Sequence, residues 1–480
     1  MLKIQNYING KLIDPISNNY IDNYEPATGK VFSQIAQSGA TDVENAVETA
    51  RKAFPSWSEL SADDRAVCMD KIADLILKNL DELALAESKD NGKPIWMAKQ
   101  VDIPRASKNM SFFASAIRQF HSEFYQSSNQ IYNYVLRQPL GIIGAISPWN
   151  LPLYLFTWKI APALAAGNCV IAKPSEVTPY TAYLFSKICI EAGLPAGVLN
   201  IVHGYGGEVG EAIVKHKEIK AITFTGGTST GKHIAGIAAP MLKKLSLELG
   251  GKNPTIVMDD CNYEKTVKET VRAAFANQGE ICLCGSRILV HEKIYEQFKK
   301  DFIEETKKLK TGSPYDDSSK IGAIVSEQHF KKILSYIELA EEEGGKLLTG
   351  GKAFNPGGEF KNGWYIEPTV FEGLPQNCRT NTEEIFGPVA TLQSFKNIQE
   401  AIELANGTEY GLAASIWTEN LSAAHQLAAK VDCGIIWINA WLVRDLRIPF
   451  GGMKQSGVGR EGGEEALKFF TEPKSVCMKF

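Results

Sequence analysis

From Gly141 onward, short apolar runs alternate with helical stretches, and this alternation constrains the fold more than any other feature. GIIGAIS, NCVIAK, VLNIVHG and AITFTGG read as strands, with helices over 180–192 and from about Ser229. A second set begins near Thr255 with TIVMDD, a helix, RILVHE and another helix. Further strands follow near 388–395, 413–417 and 434–438. Strands alternating with helices at this spacing predict parallel, doubly wound sheets, because each helix carries the chain back to start the next parallel strand. The chain has 480 residues, room for two or three domains at roughly 100–200 residues each. The expected class is therefore α/β.

The stretch before Gly141 reads differently. YINGKLID and YEPATGKVFSQI are short strands, and Asn9-Gly10 signals a tight turn. Thr41 is placed to cap a helix, with Glu44 as its capping-box partner. Helices continue with breaks to about Phe124, and IYNYVLRQ at 131–138 is a strand. The Gly-rich segment 344–363 reads as a surface loop or hairpin. Leu151 to Ala172 is long and apolar, but Pro152, Lys159, Pro162, Gly167 and Asn168 interrupt it. It is expected to be a buried helix followed by a strand rather than a membrane span.

Composition narrows the partners. With 51 basic and 55 acidic residues the net charge is only -4, which gives no electrostatic reason to expect nucleic acid or an anionic membrane. The start, MLKIQNYINGKLID, lacks a long apolar run and a small-residue cleavage site, so a cytoplasmic protein is expected. Nine cysteines, an odd number and mostly isolated, read as reduced thiols. Cys282 and Cys284 form C-x-C without a His or second Cys pair at ligand spacing, so no metal is expected.

Four groups carry chemistry. In AITFTGGTSTGK, Gly226, Gly227 and Gly231 fall at a strand-to-helix turn. Such a turn lets backbone approach a phosphate at a helix N-terminus, or is simply a turn. The spacing is not the G-x-G-x-x-G fingerprint. In VIAKPSE, Lys173 and Glu176 close a strand, where they bind a ribose or stand as solvated charges. A carboxylate there suits free hydroxyls and repels a 2′-phosphate, favouring NAD over NADP. Cys282, in FANQGEICLCGSR, is a nucleophile or a small buried hydrophobe. Glu248, in LSLELGGKNP, is a general base with a raised pKa, or an edge residue paired with Lys252.

Together the motifs are specific. SPWNLP (147–152), LELGGK (247–252), FANQGEICLCGSR (275–287) and EEIFGPV (383–389) stand in the order and spacing of the aldehyde dehydrogenase superfamily. YINGK, EPATGK, KPSEVTP, FTGG and PFGGMKQSGVGREGG extend the resemblance over essentially the whole chain. The resemblance implies that Cys282 is the nucleophile, Glu248 the general base and Asn150 the side-chain half of an oxyanion hole. It implies that NAD is held by Ile146, Ser147, Pro148, Trp149, Lys173, Glu176, Gly206, Gly226, Gly227, Gly231, Leu249, Glu384 and Phe386, with NADP a weaker alternative through Lys173 and Ser175. The family often has Ser where Gly227 stands and Gln where Glu280 stands, and Ile281 and Leu283 also vary. Glu280 is expected to add a charge close to the site.

The segments WLVRDLRIPFGGMKQSGVGREGG and DIPRASKNMSFFA look like the branch of 2-aminomuconic and 2-hydroxymuconic semialdehyde dehydrogenases. That likeness implies that Arg105 and Arg444 bind the substrate's distal carboxylate. Read as surface residues, they would instead pair with Asp102 and Asp445. Activity on retinal, betaine aldehyde, succinate semialdehyde or aliphatic aldehydes is the alternative. An acylating enzyme using coenzyme A would not need Glu248, and a non-catalytic binding protein would need neither Glu248 nor Cys282. The implied fold has an NAD-binding domain over 1–120 and 141–250 and a catalytic domain over 251–452. An arm over 121–140 and 466–480 would join subunits into a homodimer or homotetramer.

Overall fold

In the computed structural model, which describes residues 1–480, the chain builds two large sheets flanked by helices, two two-stranded sheets and two three-stranded ones, one of them at the periphery. The first large sheet has eight strands. Five are mutually parallel: Ile142–Ile146, Cys169–Lys173, Leu199–Ile201, Ile219–Thr225 and Lys244–Glu248. The first of these is central, with 169–173 and 199–201 on one side and 219–225 and 244–248 on the other. Antiparallel strands Asn6–Ile8 and Lys11–Ile13 extend one edge and Gly457–Val458 the other. IIGAI and CVIAK are buried throughout, as strands covered on both faces must be.

Strand order reverses at Ile142–Ile146, and a crevice at the carboxyl ends of such strands is where α/β sheets bind ligands. Register brings the key ends to that rim: Ile146 lies beside Lys173 and Phe224, and Thr225 beside Glu248. The second sheet has seven strands, in the order 346–349, 369–372, 389–395, 287–291, 254–257, 413–417 and 435–438. All pair in parallel except the first.

The peripheral sheet pairs Ile131–Pro139 with Thr471–Lys479 on one side and Phe124–Ser128 on the other, both antiparallel. Phe124, Tyr125 and Phe480 are exposed there. Leu151–Ala172 is the expected buried helix, Pro152–Ala165, followed by the strand 169–173. No helix is long and apolar enough to cross a membrane. Asn9 and Gly10 both take positive φ, 53° and 74°, and close the predicted hairpin.

One local expectation fails. The first long helix begins at Ala40, not after Thr41. Asp42 accepts the Gly39 N–H at 3.0 Å and also the Ile16 N–H at 3.0 Å, so the acid one residue beyond Thr41 makes the reciprocal contact assigned to Glu44. The segment 344–363, expected as a surface loop or hairpin, starts a pair of antiparallel pairings: Lys346–Thr349 with Thr369–Glu372, at the edge of the second sheet, and Ala353–Phe354 with Tyr365–Ile366.

Candidate active site

The cleft between the two large sheets opens into a cavity of 410 Å³ lined by Tyr154, Glu248, Cys282, Trp441, Arg444 and Phe450. Cys282 reaches it from a tight turn. Asn277, Gln278 and Gly279 take φ of 51°, 57° and 73°, and a Cβ on Gly279 would lie 2.2 Å from the Gly387 carbonyl. The strand Arg287–His291 then carries the chain away. Asn253 Nδ2 donates to the carbonyls of Cys282 (2.6 Å) and Cys284 (3.0 Å), and Trp441 Nε1 donates to Leu283 O at 2.9 Å. These bonds fix the C-x-C segment so that its two thiols part. Cys282 lines the cavity, whereas Cys284 is buried and directs its thiol at Ala276 O. Burial raises the Cys282 thiol above its ordinary pKa, Glu384 and Glu248 add to this, and Arg444 opposes it.

Glu248 ends the strand Lys244–Glu248 at the cavity wall. Its carboxyl is buried and Oε1 has no hydrogen-bond partner. Burial, reinforced by Glu461, pushes it well above the usual carboxylate range, while Lys159, Arg444 and Arg460 pull the other way. The proposed partner Lys252 makes no ion pair with it; burial depresses that ammonium to about 7. Asn150 is buried in the loop before the helix Pro152–Ala165, and its Nδ2 donates to Glu280 O at 2.9 Å. That bond ties the asparagine amide to the segment carrying Cys282 and leaves its second N–H free.

Glu280 is fully buried, Oε1 accepts the Val325 N–H at 3.2 Å, and burial pushes the carboxyl well above the usual carboxylate range.

The crevice at the sheet rim gathers the residues expected to hold a dinucleotide. Ser147 N donates to Lys173 O at 3.1 Å, while the Ser147 hydroxyl is buried without a partner. Lys173 Nζ donates to Glu176 at 2.8 Å, and Glu176 accepts the Gly206 N–H at 3.4 Å. Burial works against the Glu176 carboxylate, but Lys173 and these bonds outweigh it and hold its pKa low. A Cβ on Gly226 would come 2.4 Å from the Phe224 ring, and one on Gly231 would come 2.4 Å from Leu249. A Cβ on Gly227 would meet nothing within 4 Å, so the serine common in relatives fits there. Farther along the cleft, Glu384 accepts the Gly251 N–H at 2.9 Å. Phe386 takes φ 63° and its carbonyl accepts His329 Nε2–H at 2.6 Å. Burial lowers His329 to about 4, so it is neutral and donates with one nitrogen. Trp149 meets the His329 and Phe386 rings edge-on, at 5.0 and 5.2 Å. Nothing in the sequence distinguished His329 from a surface histidine.

Neither arginine makes the surface pairing considered for it. Asp102 binds Lys93, and Asp445 binds Arg447. Arg105 instead stacks over Tyr154 (4.8 Å) and Trp158 (5.5 Å), with Nε bonded to Asn109. Arg444 stacks over Phe450 (3.7 Å) and the same Trp158 (4.8 Å). Each has a buried Nη2 without an acceptor. Burial, with Arg444 nearby, lowers the Arg105 guanidinium to about 10. Two guanidiniums thus flank one indole, each with an unused donor. Trp158, the shared platform, is a residue the sequence did not single out.

The aldehyde dehydrogenase family model matches residues 13–476. The chain is 48% identical to a 2-aminomuconic semialdehyde dehydrogenase of Mus musculus, covering 100% of this chain and 99% of that one. It is 42% identical to a 2-hydroxymuconic semialdehyde dehydrogenase of Pseudomonas sp. (strain CF600), covering 100% of both. Among solved structures, the NAD+ complex of an aldehyde dehydrogenase from Bacillus cereus superposes with a TM-score of 0.97 at 38% identity, covering 100% of this chain and 97% of that one.

Proposed function

The chain belongs to the aldehyde dehydrogenase family, and on that premise we propose that it oxidises a semialdehyde bearing a distal carboxylate, with NAD as acceptor. The observation that carries the substrate class is the pair of half-buried arginines beside Trp158, Arg105 and Arg444, each with a sealed Nη2 that has no acceptor. A sealed guanidinium donor without an acceptor is costly unless an anion compensates it, so the site favours substrates that bring one. 2-Aminomuconic and 2-hydroxymuconic semialdehydes, the substrates in the relatives' names, have this chemistry.

The residues present fit a dinucleotide. Gly226 and Gly231 leave the rim as close to Phe224 and Leu249 as side-chain-free backbone allows, and the orphaned Ser147 hydroxyl lies beside Lys173. Ile146 to Trp149, Lys173, Glu176, Gly206, Gly227, Leu249, Glu384 and Phe386 complete the proposed site. NAD, when bound, supplies the hydride acceptor. The carboxylate of Glu176, held ionised by Lys173, favours free ribose hydroxyls over a 2′-phosphate, so NADP is the poorer cofactor.

Cys282, as thiolate, attacks the aldehyde carbon. The new oxyanion is held by the free N–H of Asn150 Nδ2 and the Cys282 backbone N–H. Loss of hydride from the thiohemiacetal carbon leaves a thioester on Cys282. Glu248, once ionised, takes a proton from water, which attacks that thioester and releases the carboxylic acid and the thiolate. Glu248 is available for this because it lines the cavity, Oε1 has no hydrogen-bond partner and no salt bridge holds the carboxyl.

In this reading residues 1–120 and 141–250 form the cofactor domain, 251–452 the catalytic domain, and 121–140 with 466–480 an arm. The exposed strand Phe124–Ser128 and the outer edge of Thr471–Lys479 favour pairing across subunits into a homodimer or homotetramer. A cytoplasmic location, with no nucleic-acid or membrane partner, completes the proposal. The test is kcat/KM on semialdehydes with and without a terminal carboxylate, at matched chain length. A marked preference for the carboxylate is expected; a preference for neutral aldehydes would overturn the substrate class.

A further inference from the structure

Beneath the Asn150 loop lies a buried cluster that the chemistry above does not use. Lys93, Glu87 and Asp102 are all 0% exposed. Lys93 Nζ donates to Asp102 Oδ2 at 2.8 Å and to the Asn150 carbonyl at 3.1 Å, with Glu87 Oε1 at 3.9 Å. Glu87 Oε2 accepts the Leu153 N–H at 3.3 Å, on the far side of the same loop. Two residues back, Asn91 Nδ2 donates to Trp149 O at 3.0 Å. The segment Asn91–Lys93 therefore holds two successive carbonyls of the loop. Asp102 ends a π-helical turn, 98–102, that runs directly into the helix Ile103–Arg118 bearing Arg105.

A lysine sealed from water is an expensive way to fill space, and an apolar side chain of similar volume is often no less stable. What an apolar side chain cannot do is bond both Asp102 and the Asn150 carbonyl. We propose that Lys93 is a positioning residue that joins the Asn150 amide to the helix of Arg105, so that the two ends of the substrate are held in fixed register. Burial raises both carboxyls, Glu87 to about 8, while Lys93 pulls each of them down. Two of the lysine's three N–H donors are committed, one to Asp102 and one to the Asn150 carbonyl. This inference rests on Asn150 serving as the oxyanion donor.

The experiment is a double-mutant cycle on the full enzyme. Lys93→Met strands Asp102, so the paired variant Lys93→Met/Asp102→Leu is made as well; it removes both charges and keeps the core filled. Thermal stability, NAD affinity by fluorescence quenching and kcat on a carboxylate semialdehyde are measured for each, alone and with Asn150→Ala. Small displacements of a catalytic group cost up to about 100-fold. The expected result is a kcat reduced by about 10- to 100-fold in the paired variant, with stability and NAD affinity near wild type. In the Asn150→Ala background the same change should cost almost nothing further. Full kcat in a stable paired variant, or losses that multiply with Asn150→Ala, would overturn the role of Lys93. An Asn150→Ala enzyme with unchanged kcat is a different failure: it removes the oxyanion assignment and this inference with it.

Discussion

Replacing Arg444 by Gln removes one of the two guanidiniums beside Trp158 while keeping a polar side chain of similar reach. A charge-assisted, bidentate arginine–carboxylate contact contributes about 3 kcal/mol, which is about 100-fold in kcat/KM. Arg105 stays in place, so binding is weakened rather than abolished. Arg444 has a second effect that the assay must separate. Its charge opposes the upward pressure on both Cys282 and Glu248. Without it both pKa values rise further, so at neutral pH less thiolate and less carboxylate are present and every substrate suffers. That shared loss shrinks as pH increases. The measured quantity is therefore the ratio of kcat/KM for a carboxylate semialdehyde to that for a neutral aldehyde of equal length, followed against pH. The ratio should fall about 100-fold and stay low, while the rate on the neutral aldehyde recovers on the alkaline side. An unchanged ratio would refute the carboxylate site, whatever happened to the absolute rates.

Cys284→Ser should retain near-normal turnover, because its thiol faces the Ala276 carbonyl in the core rather than the cavity; loss equal to that of Cys282→Ala in steady-state assays would contradict this. Gly231→Ala should weaken NAD binding by displacing the helix Thr228–Ala238 from Leu249, whereas Gly227→Ser should bind NAD normally, as calorimetry would show. Deacylation, read from pre-steady-state NADH traces, should accelerate as pH rises, since Glu248 has a raised pKa and must lose its proton to act; a rate that falls with pH would exclude it as the base.

The parallel strands were legible because IIGAI and CVIAK are apolar on both faces, and only a doubly covered sheet buries such runs. The edge strand Lys346–Thr349 was not, because KLLT is largely exposed and carries no two-sided pattern. Thr41 resembled a cap by composition, yet its neighbour Asp42 had the better reach, a matter of backbone geometry that residue type does not encode. Cys282, Glu248 and Asn150 could be picked out by motif, but the cavity that Cys282 and Glu248 share joins segments from two sheets. Lys93 drew no notice in the sequence, and the burial of Glu280 was not visible there, for one reason. A charged residue is read as solvated by default, and only distant partners such as Asp102, Asn150 and Val325 reveal that each is sealed from water. Likewise the arginines looked like partners for Asp102 and Asp445, which are committed to Lys93 and Arg447.

The central claim is that aldehyde carbon becomes covalently attached to Cys282 and is released by Glu248. Glu248→Gln should leave the first half intact and stall the second. Mixing that variant with NAD and a carboxylate semialdehyde, then quenching in acid, should give a stoichiometric burst of NADH and an acyl adduct on the peptide containing Cys282 by mass spectrometry. A burst without an adduct, or an adduct on Cys284 instead, would contradict the account.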